Sequence, residues 1–346
     1  MRIAYLVNHL GQTGVNNVVT DLVKVMTAHG HECAVFYLEE TENETHFDCE
    51  TRRLSSLTKR EDFSAFDVVH THGLKPNLYV LLHKSFEGKT KYVATLHCYV
   101  FQDFFDLYGR IKGFLLGVLF LLSVVRHDDI ITLSKDAMDY YKRWLPKRKL
   151  RYAYNTRMME TEDLTADEQS EITRFKGNAV LIGMNCVLLF RKGIDIMLKA
   201  LAQLPDNYKL FVVGTGKDEP VFKKQVENLH LENRVCFSGF RRDAYRYLPH
   251  YDIYALPSRS EGFPLSLLEA AVYGKEVVCS DLPIIRECFD DDELSMFHLP
   301  DDKALAAAIK NVENGAGKGE RLRERYLRDY SPECFYRRHI EIYNHE

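Results

Sequence analysis

The chain has 346 residues, enough for two domains of ordinary size. It is 46% hydrophobic and 28% charged with no low-complexity tract, the composition of a soluble globular protein rather than a disordered or fibrous one. A net charge of −4 argues against general nucleic-acid binding, and eight scattered cysteines without a C-x-x-C pair argue against a zinc site.

Strand-like Arg2–Val7 opens the chain and leaves no room for a signal peptide, so a reducing, cytoplasmic setting is expected. Further β-rich runs follow at 33–38, 67–70, 92–96 and 129–133, alternating with helical periodicity at 15–28, 75–84, 110–125 and 135–144. Residues 156–176 are polar, rich in Glu, Asp and Thr, and read as a linker. The alternation restarts with strand 179–184, a helix near 193–203, strand 208–213 and a helix near 218–229. Strands 234–237 and 252–256, a helix over 264–273 and strand 276–279 complete it. The last stretch, 302–345, is helical with breaks at Gly315–Gly319 and Ser331–Pro332. Such alternation predicts an α/β protein with parallel sheets in two Rossmann-like, doubly wound halves. The expected divisions are a domain at 1–155, the linker 156–176, a second domain at 177–325 and a C-terminal helix at 326–346.

Charge is uneven. Residues 1–155 carry 20 Lys and Arg against 18 Asp and Glu, a net of +2, whereas 156–346 carry 26 against 32, a net of −6. Within 110–151 the balance is 10 against 4, a net of +6. The same segment contains Gly113–Val125, thirteen residues without a charge and too short to span a bilayer. It reads either as a buried core helix or as a face for an anionic membrane surface.

The densest chemistry lies at Glu261-Gly262-Phe263-Pro264-Leu265-Ser266-Leu267-Leu268-Glu269. Pro264 suits the first helical position, leaving the N–H groups of Leu265 to Leu268 free for an anion. Glu261 then lies in the loop and Glu269 one turn inside the helix, so one carboxylate stands on each side of a phosphate cradle. Arg191-Lys192-Gly193 opens an earlier helix and supplies candidate cations. Glycines close three strand-to-helix turns: Thr13-Gly14, Gly214-Thr215-Gly216 and Ser238-Gly239-Phe240-Arg241. His70, His72 and His97 end two strands, with His70 read as structural and His72 as pointing towards the mouth of a cleft at the carboxyl ends of the strands. Asn16 reads either as a contact to substrate or as part of a helix cap. No D-x-D constellation is placed to hold a metal.

These segments resemble the retaining glycosyltransferases of family 4, which have the GT-B fold, with its two Rossmann-like domains facing a central cleft. The resemblance implies that Glu261 contacts a donor sugar, Glu269 the nucleotide ribose, and Phe263, Pro264, Leu265 and Ser266 the diphosphate. Lys192, with Arg191 beside it, falls where the family's lysine meets the donor phosphates. Gly14, Gly214 and Gly216 border the donor, Phe240 and Arg241 its base. His97 lies near the reacting centre, and Asn16 and His72 are candidate acceptor contacts. The implied substrates are a nucleoside-diphosphate sugar and a glycan or lipid-linked glycan, with no cofactor or metal. Family members acting on lipid-linked sugars dock through the first domain, so residues 110–151 imply a cytoplasmic protein peripheral on the inner membrane face. The chain departs from the family pattern at Val187, where an arginine is usual, and at Thr13-Gly14, where two glycines are usual. A sugar-nucleotide epimerase and a non-catalytic partner subunit are the competing readings.

Overall fold

The computed structural model describes residues 1–42, 44–85, 88–160, 162–312 and 317–345. Two compact units form: Met1–Met158 together with the segment from Tyr330 onward, and Met159–Asp329.

Unit 1 comprises β1 (Arg2–His9), α1 (Gly14–Ala28), β2 (Glu32–Glu39), β3 (Glu50–Arg53), β4 (Val68–His72), α2 (Leu74–His83) and β5 (Lys91–Leu96). It continues with α3 (Val100–Tyr108), α4 (Arg110–Ser123), β6 (Asp129–Thr132), α5 (Lys135–Tyr141) and β7 (Leu150–Tyr152). The strands make one parallel sheet in the order β3-β2-β1-β4-β5-β6-β7. Its central strands are covered on both faces, which is why their sequences are continuous apolar runs rather than alternating ones. Every residue of β4 is buried, including His70, Thr71 and His72.

Gly109, at φ +76°, ends α3 and starts α4. The two helices then pack closely because α4 has glycines where they meet. A Cβ on Gly113 would lie 2.5 Å from Phe104 O, and one on Gly117 would lie 2.6 Å from the Phe101 ring. Phe120 and Leu121 of α4 are buried, yet Ile111, Phe114, Leu115, Val118 and Leu122 are exposed. The uncharged run is therefore neither wholly core nor wholly surface; it is apolar on both sides.

Unit 2 comprises α6 (Ala166–Lys176), β8 (Val180–Asn185), α7 (Ile194–Leu201), β9 (Tyr208–Val213), α8 (Glu219–Asn228), β10 (Val235–Gly239) and β11 (Ile253–Leu256). It ends with α9 (Leu265–Val272), β12 (Glu276–Ser280), α10 (Pro283–Cys288), β13 (Ser295–Phe297), α11 (Asp302–Val312) and α12 (Lys318–Asp329). Its parallel sheet runs β10-β9-β8-β11-β12-β13. The winding reverses between β8 and β11, so the loops leaving these neighbours diverge at their carboxyl ends.

Two expected boundaries change. The polar segment 156–176 is not a linker throughout, since α6 occupies its second half. Thr165 caps α6 and Glu168 returns the bond to the Thr165 backbone, a complete capping box. Only Ile172 of this helix is buried, so no apolar stripe announced it. The C-terminal helix does not begin at 326: α12 belongs to unit 2, and α13 (Pro332–Asn344), after the Ser331–Pro332 break, belongs to unit 1. Thr156 Oγ1 fixes the junction by donating to Tyr330 O (2.6 Å), and Tyr343 of α13 reaches His70 Nδ1 (2.7 Å). The break expected at Gly315 lies outside the described residues.

Candidate functional site

The loops leaving β8 and β11 carry the two motifs that stood out in the sequence, and the fold ties them together. Lys192 Nζ donates to Glu261 Oε1 at 2.7 Å, and Arg191 Nη1 lies 3.9 Å from Glu261 Oε2. The backbone follows the same path. Arg259 N–H donates to Arg191 O (2.7 Å), and Arg191 Nη1 donates to Ser260 O (2.9 Å). The Arg259 guanidinium grips Asp195 at the start of α7 through two bonds of 2.8 Å. Gly193 closes the turn at φ +71°, where a Cβ would stand 1.9 Å from Pro257 O. Glu261 is 7% exposed. Burial opposes its ionisation, but the ammonium of Lys192, helped by Arg191, wins and holds its carboxyl below the ordinary range. The site is thus a buried carboxylate held ionised by cations from the neighbouring loop.

The helix that follows differs from expectation at its start. Pro264 is the N-cap of α9 rather than its first helical residue. Leu265 N–H donates to Phe263 O (3.0 Å), and Leu267 and Leu268 N–H donate to Pro264 O (3.0 and 3.4 Å). Of the four N–H groups expected to be free, only that of Ser266 lacks a protein acceptor among the described residues. Proline at the cap keeps its carbonyl available to the first turn, and that carbonyl collects the donors. Glu269 lies inside α9 and is half-buried; Phe263 is buried.

Gly214 and Gly216 serve the protein's own packing. A Cβ on Gly214 would fall 1.9 Å from Cys186 O, and one on Gly216 2.3 Å from Leu188 O. They let the loop after β9 lie against the loop after β8, which Leu188 N–H to Thr215 O (3.0 Å) then fastens. Phe240 is exposed. Arg241 is engaged already, with Nη2 donating to Glu171 Oε2 (3.1 Å) and Nε to Tyr247 OH (3.2 Å). Val187 is 54% exposed on the loop after β8. Among the described residues no group of three His, Cys, Asp or Glu is arranged to hold a metal ion.

In unit 1 the structure corrects two assignments. Asn16 is buried, and its amide donates to His9 O (2.8 Å) and Gly11 O (2.6 Å), so it clamps the loop after β1 and has no hydrogen left for a substrate. Thr13 is the cap of α1, accepting from Asn16 N–H (3.2 Å), and Gly14 is the exposed first residue of that helix. His72, expected to open on the mouth of a cleft, is buried, because β4 is central and both its faces are covered. Its Nδ1 lies 2.8 Å from His97 Nε2, which places His72 to orient His97, while its own Nε2 is buried with no hydrogen-bond partner among the described residues. His70 is held by Tyr343 OH and by Thr95 Oγ1 (both 2.7 Å), a structural role.

Burial drives these imidazoles to the neutral form. His97 and His339 are pushed down to about 4 and His127 to about 3 by desolvation, and His70 and His72 are also well lowered by burial and by one another. An unfolded histidine titrates at 6.5, so below that pH the unfolded chain takes up protons that the native chain refuses. Stability is then fully present above about pH 6.5 and is lost as pH falls, at up to about 1.4 kcal/mol per pH unit for each such group. The melting temperature is expected to drop steeply between about pH 6.5 and pH 5, above most carboxylate titrations. A flat profile across that window contradicts the buried neutral cluster.

The family descriptions that match are "Glycosyltransferase Family 4" over residues 12–156 and "Glycosyl transferases group 1" over residues 165–328. The O-antigen biosynthesis glycosyltransferase WclY of Escherichia coli is 31% identical over 299 residues, covering 84% of this chain and 83% of WclY. A Campylobacter jejuni protein named as an N-acetylgalactosamine-N,N'-diacetylbacillosaminyl-diphospho-undecaprenol 4-alpha-N-acetylgalactosaminyltransferase is 28% identical over 123 residues, 35% of this chain and 34% of its own. Among solved structures, HepE of Anabaena, crystallised with UDP and glucose, matches with a TM-score of 0.80 at 17% identity over 98% of both chains. The fold shared with such structures is GT-B.

Proposed function

The chain belongs to glycosyltransferase family 4, and on that premise we propose that it moves a hexose or N-acetylhexosamine, with retention, from a nucleoside-diphosphate sugar to a glycan or lipid-linked glycan acceptor. The observation that carries this reading is the Lys192–Glu261 pair on adjacent loops at the switch point of the unit 2 sheet. Breaking the anomeric C–O bond leaves the electron pair on a phosphate oxygen. Lys192, with Arg191, supplies positive charge for that oxygen, and Ser266 N–H a further donor. Glu261 stays ionised and polarises the sugar as its anomeric carbon becomes cationic; Glu269 is assigned to the ribose. The acceptor oxygen attacks from the face the phosphate leaves, and its proton passes to the departing phosphate oxygen. No side chain need then act as a strong base, and no metal is assigned a part. In unit 1, His97 is assigned to a sugar hydroxyl. A neutral imidazole accepts or donates a hydrogen bond there, whereas a charged one would oppose the cationic sugar.

The O-antigen role of WclY supports a setting in surface polysaccharide assembly, and the name of the Campylobacter relative supports an acceptor linked to a diphosphate lipid. Acting on such an acceptor places the enzyme at an anionic membrane surface, to which residues 110–151 with their net charge of +6 are suited. UDP-sugars are the first donors to try, before GDP-sugars. Product configuration read from the anomeric proton coupling tests the reading. The donor's configuration should be kept, at a rate unchanged by EDTA; an inverted product, or loss of turnover on chelation that added Mg²⁺ restores, overturns the mechanism.

A further inference from the structure

We infer that the α3–α4 pair is an insert that enters the acyl boundary of an anionic bilayer, rather than a patch that only attracts headgroups; this rests on the membrane-surface reading above. The exposed apolar side chains of α4 are Ile111, Phe114, Leu115, Val118, Leu119 and Leu122, at intervals of three and four residues that place them along one face. Ile111 is 82% and Leu115 63% exposed. Leu107 and Tyr108 at the end of α3 extend the surface. Trp144 joins it: its ring meets Phe101 (5.1 Å) and Tyr140 (4.8 Å), and Phe101 stacks on Phe114 (5.9 Å). Gly113 and Gly117 lock α4 onto α3, so the outward face is presented by a fixed pair and not by a loose helix.

Charge selects the occupant. Exposed Arg110 and Lys112 stand at the start of α4, and exposed Arg143, Lys147 and Arg148 beside Trp144. The exposed acids of the stretch are Asp106, Asp128 and Asp139, and the last two are paired with Lys84 and Lys142. A second copy of the chain related by a two-fold axis would set this basic rim against itself. An anionic surface complements it, with the cations at headgroup level and the apolar face below. Spanning is not at issue: α4 has 14 residues, about 21 Å of helix against about 30 Å of hydrocarbon.

Trp144 is the only tryptophan of the chain and so reports directly. The full-length protein is mixed with vesicles of equimolar phosphatidylglycerol and phosphatidylcholine whose acyl chains carry bromine. Co-sedimentation with strong quenching of Trp144 is expected. Phe114→Ser with Leu115→Ser should weaken binding by at least about tenfold with an unchanged melting temperature. Should that pair disturb folding, Ile111→Ser at the most exposed position makes the same test. Binding without quenching, abolished by salt, overturns insertion while leaving the membrane-surface reading standing. No binding to anionic vesicles overturns both, and a dimer in sedimentation then gives the apolar face to a second copy.

Discussion

Lys192→Ala is expected to lower sugar transfer by about 10²- to 10³-fold, the loss seen when one preorganised charge or donor is removed from a leaving group. The substitution also strips Glu261 of its nearest cation, at 2.7 Å, and leaves Arg191, at 3.9 Å, as its remaining ion-pair partner among the described residues. Breaking a buried pair from one side costs about 3–5 kcal/mol, and Arg191 offsets part of it. The Glu261 carboxyl should then titrate higher, because burial, which already opposes its charge, loses its main opponent. Stability and catalysis separate in the double variant. Lys192→Ala with Glu261→Gln removes the unpaired charge, so the melting temperature should recover while turnover does not. Recovery of turnover in the double variant would contradict a catalytic part for both the Lys192 ammonium and the Glu261 carboxylate, leaving the pair a structural one.

Gly193→Ala carries the second large effect. At φ +71° any side chain is strained, and here the Cβ would also sit 1.9 Å from the Pro257 carbonyl oxygen, a backbone atom that cannot swing aside. The two loops must part, which also pulls Lys192 from Glu261. Gly30 is the internal control. It has φ +78° but a Cβ there would meet nothing within 4 Å, so alanine faces backbone strain alone, about 1–2 kcal/mol. Gly193→Ala is expected to exceed the Gly30→Ala loss by at least about twofold in urea unfolding and to lose turnover as well. Equal losses at the two positions would show that the loops are not locked together as described.

Much of this arrangement was legible in the sequence. The alternation of apolar runs and helical periods pointed to parallel α/β halves, because strands covered on both faces leave an unbroken apolar signature. Lys192 and Glu261 stood out through their flanking glycines and apolar helix starts. What holds them was not legible. Arg259 meets Asp195, a partner 64 positions away, and nothing local marks an arginine for such a contact. Asn16, at the start of a helix, and His72, at the end of a strand, were open to a reading as substrate contacts because binding residues concentrate where loops leave such elements. They are buried instead, and their polar atoms meet groups that only the folded loop after β1 and the residue following β5, His97, supply. The uncharged stretch of α4 left core and membrane equally open, since periodicity does not say that Gly113 and Gly117 take the inward contact and free the larger side chains to face out. The start of α9 turned on where one proline fell, a matter of a single residue that composition does not fix.

The central claim is that the Lys192–Glu261 turn drives departure of a nucleoside diphosphate from a sugar. Release of the nucleoside diphosphate from a panel of UDP-, GDP- and ADP-sugars, for the wild type beside Lys192→Ala, tests it most directly. One donor should be hydrolysed slowly without acceptor by the wild type and not by the variant. Silence of the wild type across the panel, with no thermal shift from any donor, would contradict the claim and favour a non-catalytic subunit on the same fold.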